Sequence, residues 1–406
     1  MMDTSAKKVL SFRKKNLMYC LAYALLLSKQ ALTNTTLVAY LDVRSDIFKI
    51  INVLAFIIIA LKILKYDVLS FKRLILILLM ALLFMTSYYL TSYNYVITLL
   101  VLMIGAINID VRSIVKCHFY VYGFVAIIAL VASLIGVIED YTVVRKSLGI
   151  VRHSLGNTYP TDFAAGILYL EFDYVFIKKK WRKINSLILT IIDYSVYKLT
   201  DSNTILIGGL TLAVALCFVP NSHDHSVQTS SENKNIFNLI SSLSFPFCAI
   251  VSFVIIRLYQ SGNSLLRALD IIINYRIGFS SKALKQYGVS LFGTNISFIG
   301  GGWNTDKSKA YYYVDNGYVY IALVYGIIIL ALICFIHGYC AYNYGKENAR
   351  LCVIYLIIAF SSLMEPRISN YLYNPFLLFL GPCLYKNAEY SKGKFLTWKR
   401  NIIRSL

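Results

Sequence analysis

Apolar residues run along this chain in blocks long enough to fill one helix each, and polar residues gather in the gaps between them. A helix that crosses about 30 Å of hydrocarbon needs about 20 residues. Applied along the chain, that length predicts crossings near 17–40, 47–64, 73–91, 93–109, 117–137, 161–177, 184–200, 203–220, 239–257, 315–340, 351–364 and 370–386, about twelve in all. The expected fold is an all-α integral membrane bundle, a single transmembrane domain over 1–406 with one large outer loop. The first block is interrupted by Lys29 and Gln30, and the block at 351–364 is short. The N-terminus, "MMDTSAKKVLSFRKKNLMYCLAYALLL", has the basic-then-apolar order of a signal peptide. Apolar blocks continue far beyond it, so it reads as a first, uncleaved helix.

Composition supports the pattern. Of 406 residues, 58% are hydrophobic and 15% charged, with a mean hydropathy of +0.63. A water-soluble domain cannot hide that much apolar surface. Many of the 33 tyrosines stand at the ends of apolar blocks, where an amphipathic ring suits the membrane interface. The eight cysteines lie singly and form no CxxC pair, so they read as small buried hydrophobes.

The net charge of +20 would suit nucleic acid, but no basic region lies free of the membrane pattern. The basic residues instead set sidedness. With the N-terminus inside, the inner loops are 62–73, 109–116, 178–183, 220–238 and 345–350, with a basic cytoplasmic tail at 387–406. They and the N-terminus hold about 25 of the 40 Lys and Arg, as the positive-inside rule expects. Both termini are then cytoplasmic. The polar stretch "PNSHDHSVQTSSENKN" makes 220–238 a linker; His223 and His225 in it lack a third metal ligand.

Two longer loops are left outside, 138–160 and 258–314. The second carries Arg267, Arg276, Lys282, Lys285, Lys307 and Lys309. Either a long loop escapes the charge rule, or these cations meet an anion at the outer surface. Arginine suits a diphosphate, because its planar fork forms paired, charge-assisted hydrogen bonds. Arg152, Arg276 and Arg267 are the candidates for that role. Candidate bases are Asp315, where the chain re-enters the membrane, and Glu365, which precedes Pro366 and Arg367. A carboxylate so near hydrocarbon is costly; a structural Glu365–Arg367 pair is the alternative. His153 is a further candidate base. Asp162 is expected to cap the helix that follows Pro160. Glu171, Asp173 and Asp193 fall inside apolar blocks and favour a transporter. No phosphate-cradling loop, nucleophile elbow, HExxH or dinucleotide fingerprint is present, and no metal-ligand set or cofactor is expected.

Several stretches resemble one family. "RHSLGNTYPTDFAAG" looks like the outer-loop motif R-x-S-L-G-F-x-H-P-N of Wzy-type polysaccharide polymerases. "LMIGAINIDVRSIVK", "TDSNTILIGGL", "NYRIGFSSKALKQYGVSLFG", "VDNGYVYIALVYGI" and "MEPRISNYLYNPFLLFL" resemble further segments of that family, in its order, over roughly 104–380. Arg152, Ser154, Gly156 and Pro160 match the motif. The family's Phe, His and Asn are Asn157, Tyr159 and Thr161 here, and the Arg of its T-x-S-R stretch is Asn203. The resemblance implies a glycosyltransferase of the bacterial cell membrane that polymerises O-antigen, capsule or exopolysaccharide repeat units. It would transfer the growing glycan from undecaprenyl diphosphate to an incoming lipid-linked oligosaccharide at the outer face. It further implies membrane lipids, a flippase and a chain-length regulator as partners, and cationic side chains in place of a metal. An O-antigen-ligase-like transferase and a lipid-linked oligosaccharide flippase are the nearest alternatives.

Overall fold

The computed structural model describes residues 4–41, 45–67, 71–145, 149–219, 231–306, 308–346 and 348–383. The expected tail at 387–406 and the first part of the 220–238 linker lie outside the described residues. The helices are α1 (Thr4–Thr33), α2 (Leu37–Tyr40), α3 (Ser45–Tyr66), α4 (Phe71–Thr91), α5 (Tyr95–Gly105), α6 (Val111–Leu134), α7 (Pro160–Ile177), α8 (Lys183–Thr200), α9 (Asn203–Phe218), α10 (Ser231–Gln260), α11 (Ser264–Ile272), α12 (Arg276–Tyr287), α13 (Gly317–Val324), α14 (Ile327–Gly345) and α15 (Ala349–Ser361). A short 3₁₀ helix follows at Pro375–Phe379, and one antiparallel hairpin, β1 (Thr142–Arg145) and β2 (Ile150–His153), precedes α7.

The fold is all-α apart from that hairpin, and the chain is membrane-embedded. Five helices among the described residues are long and apolar enough to cross a membrane: Asp46–Tyr66, Arg73–Thr91, Val111–Leu134, Asn235–Gln260 and Ile327–Gly345. Their outer faces carry Leu64, Leu79, Leu82, Phe124, Ile250 and Phe335, all well exposed. Apolar surface on that scale is stable only against hydrocarbon. Helices α5, α9 and α15 are apolar but shorter.

The other expected crossings do not all form helices of that kind, and two of the twelve blocks are broken outright. The block at 315–340 is divided between α13 and α14 at Gly326, whose φ is +96°. The Leu291 carbonyl oxygen stands 2.3 Å from where a Cβ would be, so the outer segment packs directly into the break. Apolar residues on both sides hid it. The block at 370–386 forms no long helix among its described residues. Asn374 and Pro375 interrupt it, and Phe376–Phe379 is buried in the core.

One hydrophobic core runs from Tyr19 to Cys383. At one end of the bundle, Lys62 is fully buried and donates to Asp67 (2.5 Å), to the Gly105 carbonyl (3.0 Å) and to the Ile107 carbonyl. At the same end Arg112 donates to the Ile177 carbonyl and Arg350 to the Lys178 carbonyl (2.8 Å). Residues from the expected inner loops 62–73, 109–116, 178–183 and 345–350 thus share an end. The hairpin, the start of α7 and the ends of α8, α10 and α15 lie at the other.

Candidate functional site

At the hairpin end, the turn that follows β2 starts with Ser154. Leu155 and Gly156 take φ values of +50° and +82°, which reverses the chain before Pro160 opens α7. A Cβ on Gly156 would stand 2.5 Å from the Ala129 carbonyl oxygen, so only glycine fits. The turn is also tied to α1: Thr36 N–H donates to the Gly156 carbonyl (2.9 Å), and Thr158 N–H donates to the Asn34 carbonyl (3.1 Å).

The turn presents Asp162 in the first turn of α7. The expected capping bond to backbone is not formed by its carboxylate. Asp162 Oδ1 instead accepts from Arg367 Nη2 (2.7 Å) and the Tyr373 hydroxyl (3.1 Å), and Oδ2 accepts from Thr158 Oγ1 (3.2 Å). An arginine supplied by the C-terminal segment outcompetes the backbone amides, because an ion pair near hydrocarbon is stronger than a cap.

Arg367 continues the series. Its Nη1 donates to Glu365, and its guanidinium stands 5.1 Å from the centroid of the Tyr373 ring. Burial alone would lower its pKa, but Tyr373 and Asp162 outweigh this and hold it raised and charged. Glu365 in turn faces Arg276, with Oε1 3.6 Å from Nη1. Arg276 Nε lies 3.3 Å from Asp315 Oδ2, and Nη1 donates to the Met364 carbonyl (2.5 Å). The result is an alternating row of charges, Asp162–Arg367–Glu365–Arg276–Asp315, gathered from α7, the segment after α15, α12 and the approach to α13. Its inner members, Glu365 and Arg367, are buried; Arg276 and Asp315 are about one fifth exposed.

Local structure sets each member. Asn274 and Tyr275 both adopt left-handed backbone (φ +58° and +61°), which turns α11 sharply into α12. Buried Asp270 accepts from the Ile277 and Gly278 amides (2.8 and 3.1 Å), fixing the N-terminus of α12 and so its first residue, Arg276. Asn316 caps α13 through the Tyr318 and Val319 amides and donates to Ser252 Oγ on α10 (3.0 Å), which anchors the neighbouring Asp315. Burial raises the pKa of Asp315, against the pull of Arg276 and Arg367. Burial also raises the Tyr311 hydroxyl, which feels Asp315, Tyr159 and Arg276.

Three sequence-predicted residues, Arg276, Asp315 and Glu365, are therefore brought together. The others lie apart from the row. Arg152 is buried, donates from Nε to the Thr200 carbonyl (2.7 Å) at the C-terminus of α8, and lies 5.6 Å from the centroid of the Tyr159 ring. Burial lowers its pKa, while Tyr159 opposes the shift. His153 Nδ1 pairs with Asp140 Oδ2 (2.6 Å), and Asp140 Oδ1 accepts from the Leu155 amide (2.8 Å). Arg267 is exposed on amphipathic α11 and folds back over Gly262. Asp162 and Tyr373 are unexpected partners of Arg367. A signal was present: Arg367 follows a proline within an apolar C-terminal region, where an arginine needs a nearby carboxylate.

Beside the site, α10 and α14 enclose an open apolar groove of about 610 Å³, lined by Pro246, Ile250, Phe253, Leu330, Gly338 and Tyr342 among others. Phe253 follows Ser252, the residue that holds Asn316 next to Asp315. No group of three or more His, Cys, Asp or Glu side chains among the described residues is arranged to hold a metal ion.

The fold and this row of charges define a membrane-embedded helical protein with an ionisable site at one end of its bundle. No family model, curated protein or solved structure matches the chain.

Proposed function

We propose that the chain is an oligosaccharide repeat-unit polymerase, a glycosyltransferase acting at the outer face of the bacterial cell membrane. It transfers a growing glycan from undecaprenyl diphosphate to the terminal sugar of an incoming lipid-linked repeat unit. The observation that carries this reading is the placement of Arg276 between Asp315 and Glu365. A base must reach the acceptor hydroxyl with a suitable pKa. Asp315 is partly exposed, and burial raises its pKa from the usual carboxylate range.

The row holds two guanidinium groups against three carboxylates. The acceptor O–H gives its proton to Asp315 as the new glycosidic C–O bond forms. The bond between the donor sugar and the diphosphate breaks, and the electron pair leaves with the diphosphate. Once Asp315 is neutral, its hold on Arg276 weakens. The guanidinium then meets the developing charge of the leaving group through Nη2, which has no protein partner among the described residues. Glu365 and Arg367 position Arg276 from behind. Arg152, held against Tyr159, is the second cation for the diphosphate. The α10–α14 groove supports a lipid-linked substrate, since it is apolar and open.

The test is deletion of the gene followed by analysis of lipid-linked intermediates. A polymerase leaves single repeat units on the outer leaflet. Units retained on the inner leaflet identify a flippase, and full-length polymer left on its lipid carrier identifies a ligase; either result rejects the proposal.

A further inference from the structure

Helices α7, α8 and α9 pack together, and α7 carries Asp162 of the arginine–carboxylate row at its start. Between them, Glu171 of α7 and Asp193 of α8 face each other within hydrogen-bonding reach. Glu171 lies about 16 Å along α7 from Pro160, and Asp193 about 15 Å along α8 from Lys183, at 1.5 Å per residue. Both therefore lie more than one helical turn from either end of their helices. Glu171 is 5% exposed and Asp193 is 3% exposed. Neither Glu171 oxygen has a hydrogen-bond partner among the described residues, nor does Asp193 Oδ2. Gly209 of α9 closes the remaining side, since a Cβ there would stand 2.2 Å from the Asp193 carboxyl group.

The cations on the surrounding helices are engaged elsewhere or exposed. On α6, His118 is bound to Asp173, Arg112 holds the Ile177 carbonyl and Lys116 is exposed. On α8, Lys198 lies over the Tyr194 ring and Lys183 is exposed at the helix start. On α15, Arg350 holds the Lys178 carbonyl, and α9 carries no charged side chain. Two facing carboxylates that can only accept hydrogen bonds repel each other when buried. A shared proton turns one of them into a donor and removes half the charge. A metal cation would need more oxygen ligands than this pair offers.

We infer that Glu171 and Asp193 form a proton-binding site inside the helix bundle, with a proton held between the two carboxyl groups. The site stands whether or not the chain is a polymerase. Infrared spectroscopy of the purified full chain at neutral pH tests it. The wild-type protein should show a protonated-carboxyl carbonyl band that is lost in the Glu171→Gln, Asp193→Asn double variant. Identical spectra for the two proteins would overturn the inference. So would loss of the wild-type band on adding sodium chloride, which would mark a metal-cation site. If the double variant does not accumulate, wild-type protein is treated with dicyclohexylcarbodiimide, a lipophilic reagent that adds to protonated carboxyl groups. Mass spectrometry should find the adduct on Glu171 or Asp193; unmodified peptides at both positions would equally overturn the inference.

Discussion

Arg276 and Glu365 approach to 3.6 Å at the hairpin end of the bundle, joining the start of α12 to the segment after α15. The contact leaves Arg276 shared between two carboxylates, and the behaviour of Asp315 depends on that sharing.

Asp315→Asn should lower polymer formation in membranes by about 10²–10⁴-fold, the usual contribution of a general base, while protein levels stay normal. Retention of full activity would remove Asp315 from the chemistry.

Because burial raises the pKa of Asp315, the acidic limb of the pH–activity profile should lie above the ordinary carboxylate range. Arg276 opposes that rise, so Arg276→Gln should move the limb further up. Stability follows the same shift. A carboxyl group with a raised folded-state pKa contributes stability that is present below its unfolded value and lost as pH rises through the folded value. Profiles that coincide for wild type and variant would contradict the coupling.

Arg367→Met should destabilise the protein by about 3–5 kcal/mol, because it leaves the buried Glu365 with only the longer Arg276 contact and Asp162 without its cation. Adding Glu365→Gln to that variant should recover part of the loss. Thermal unfolding in detergent, compared across the single and double variants, measures the coupling.

The hairpin pair divides differently. Asp140 holds both His153 and the Leu155 amide, so Asp140→Ala should cost more than His153→Ala, by about 1–3 kcal/mol for the orphaned amide. His153→Ala should retain polymer formation; a loss as deep as that of Asp315→Asn would make His153 a catalytic group.

Gly326→Ala should cost about 1–3 kcal/mol through left-handed backbone strain alone, and more where the Leu291 carbonyl must move. Limited proteolysis of the 288–316 segment reports the disturbance.

Much of this architecture was legible in the sequence because hydrocarbon imposes simple rules. Block length located five helices of spanning size, and the Lys and Arg pattern grouped loops that share an end. Arg276, Asp315 and Glu365 were each singled out for a different reason, as an outer-loop cation or as a carboxylate near the membrane. Nothing local announced that they meet, since the contacts join segments far apart in the chain. The Gly326 break was hidden because the residues on both sides are equally apolar, and a lone glycine does not stop a helix. Arg152 was legible as a special arginine, but its bond to the Thr200 carbonyl depends on where α8 ends.

The backbone bonds that tie residues 34–36 to 156–158 also constrain the order of assembly. During synthesis α1 can pack against α3 early, with Lys29 donating to Asn52 (2.9 Å), yet residues 34–36 meet their backbone partners only when the turn after the hairpin has been laid down. The backbone at 34–36 must therefore wait while more than a hundred later residues are made. A ribosome stalled before the hairpin should leave residues 34–36 open to cross-linking with lipid or insertion machinery, and release past residue 158 should close them.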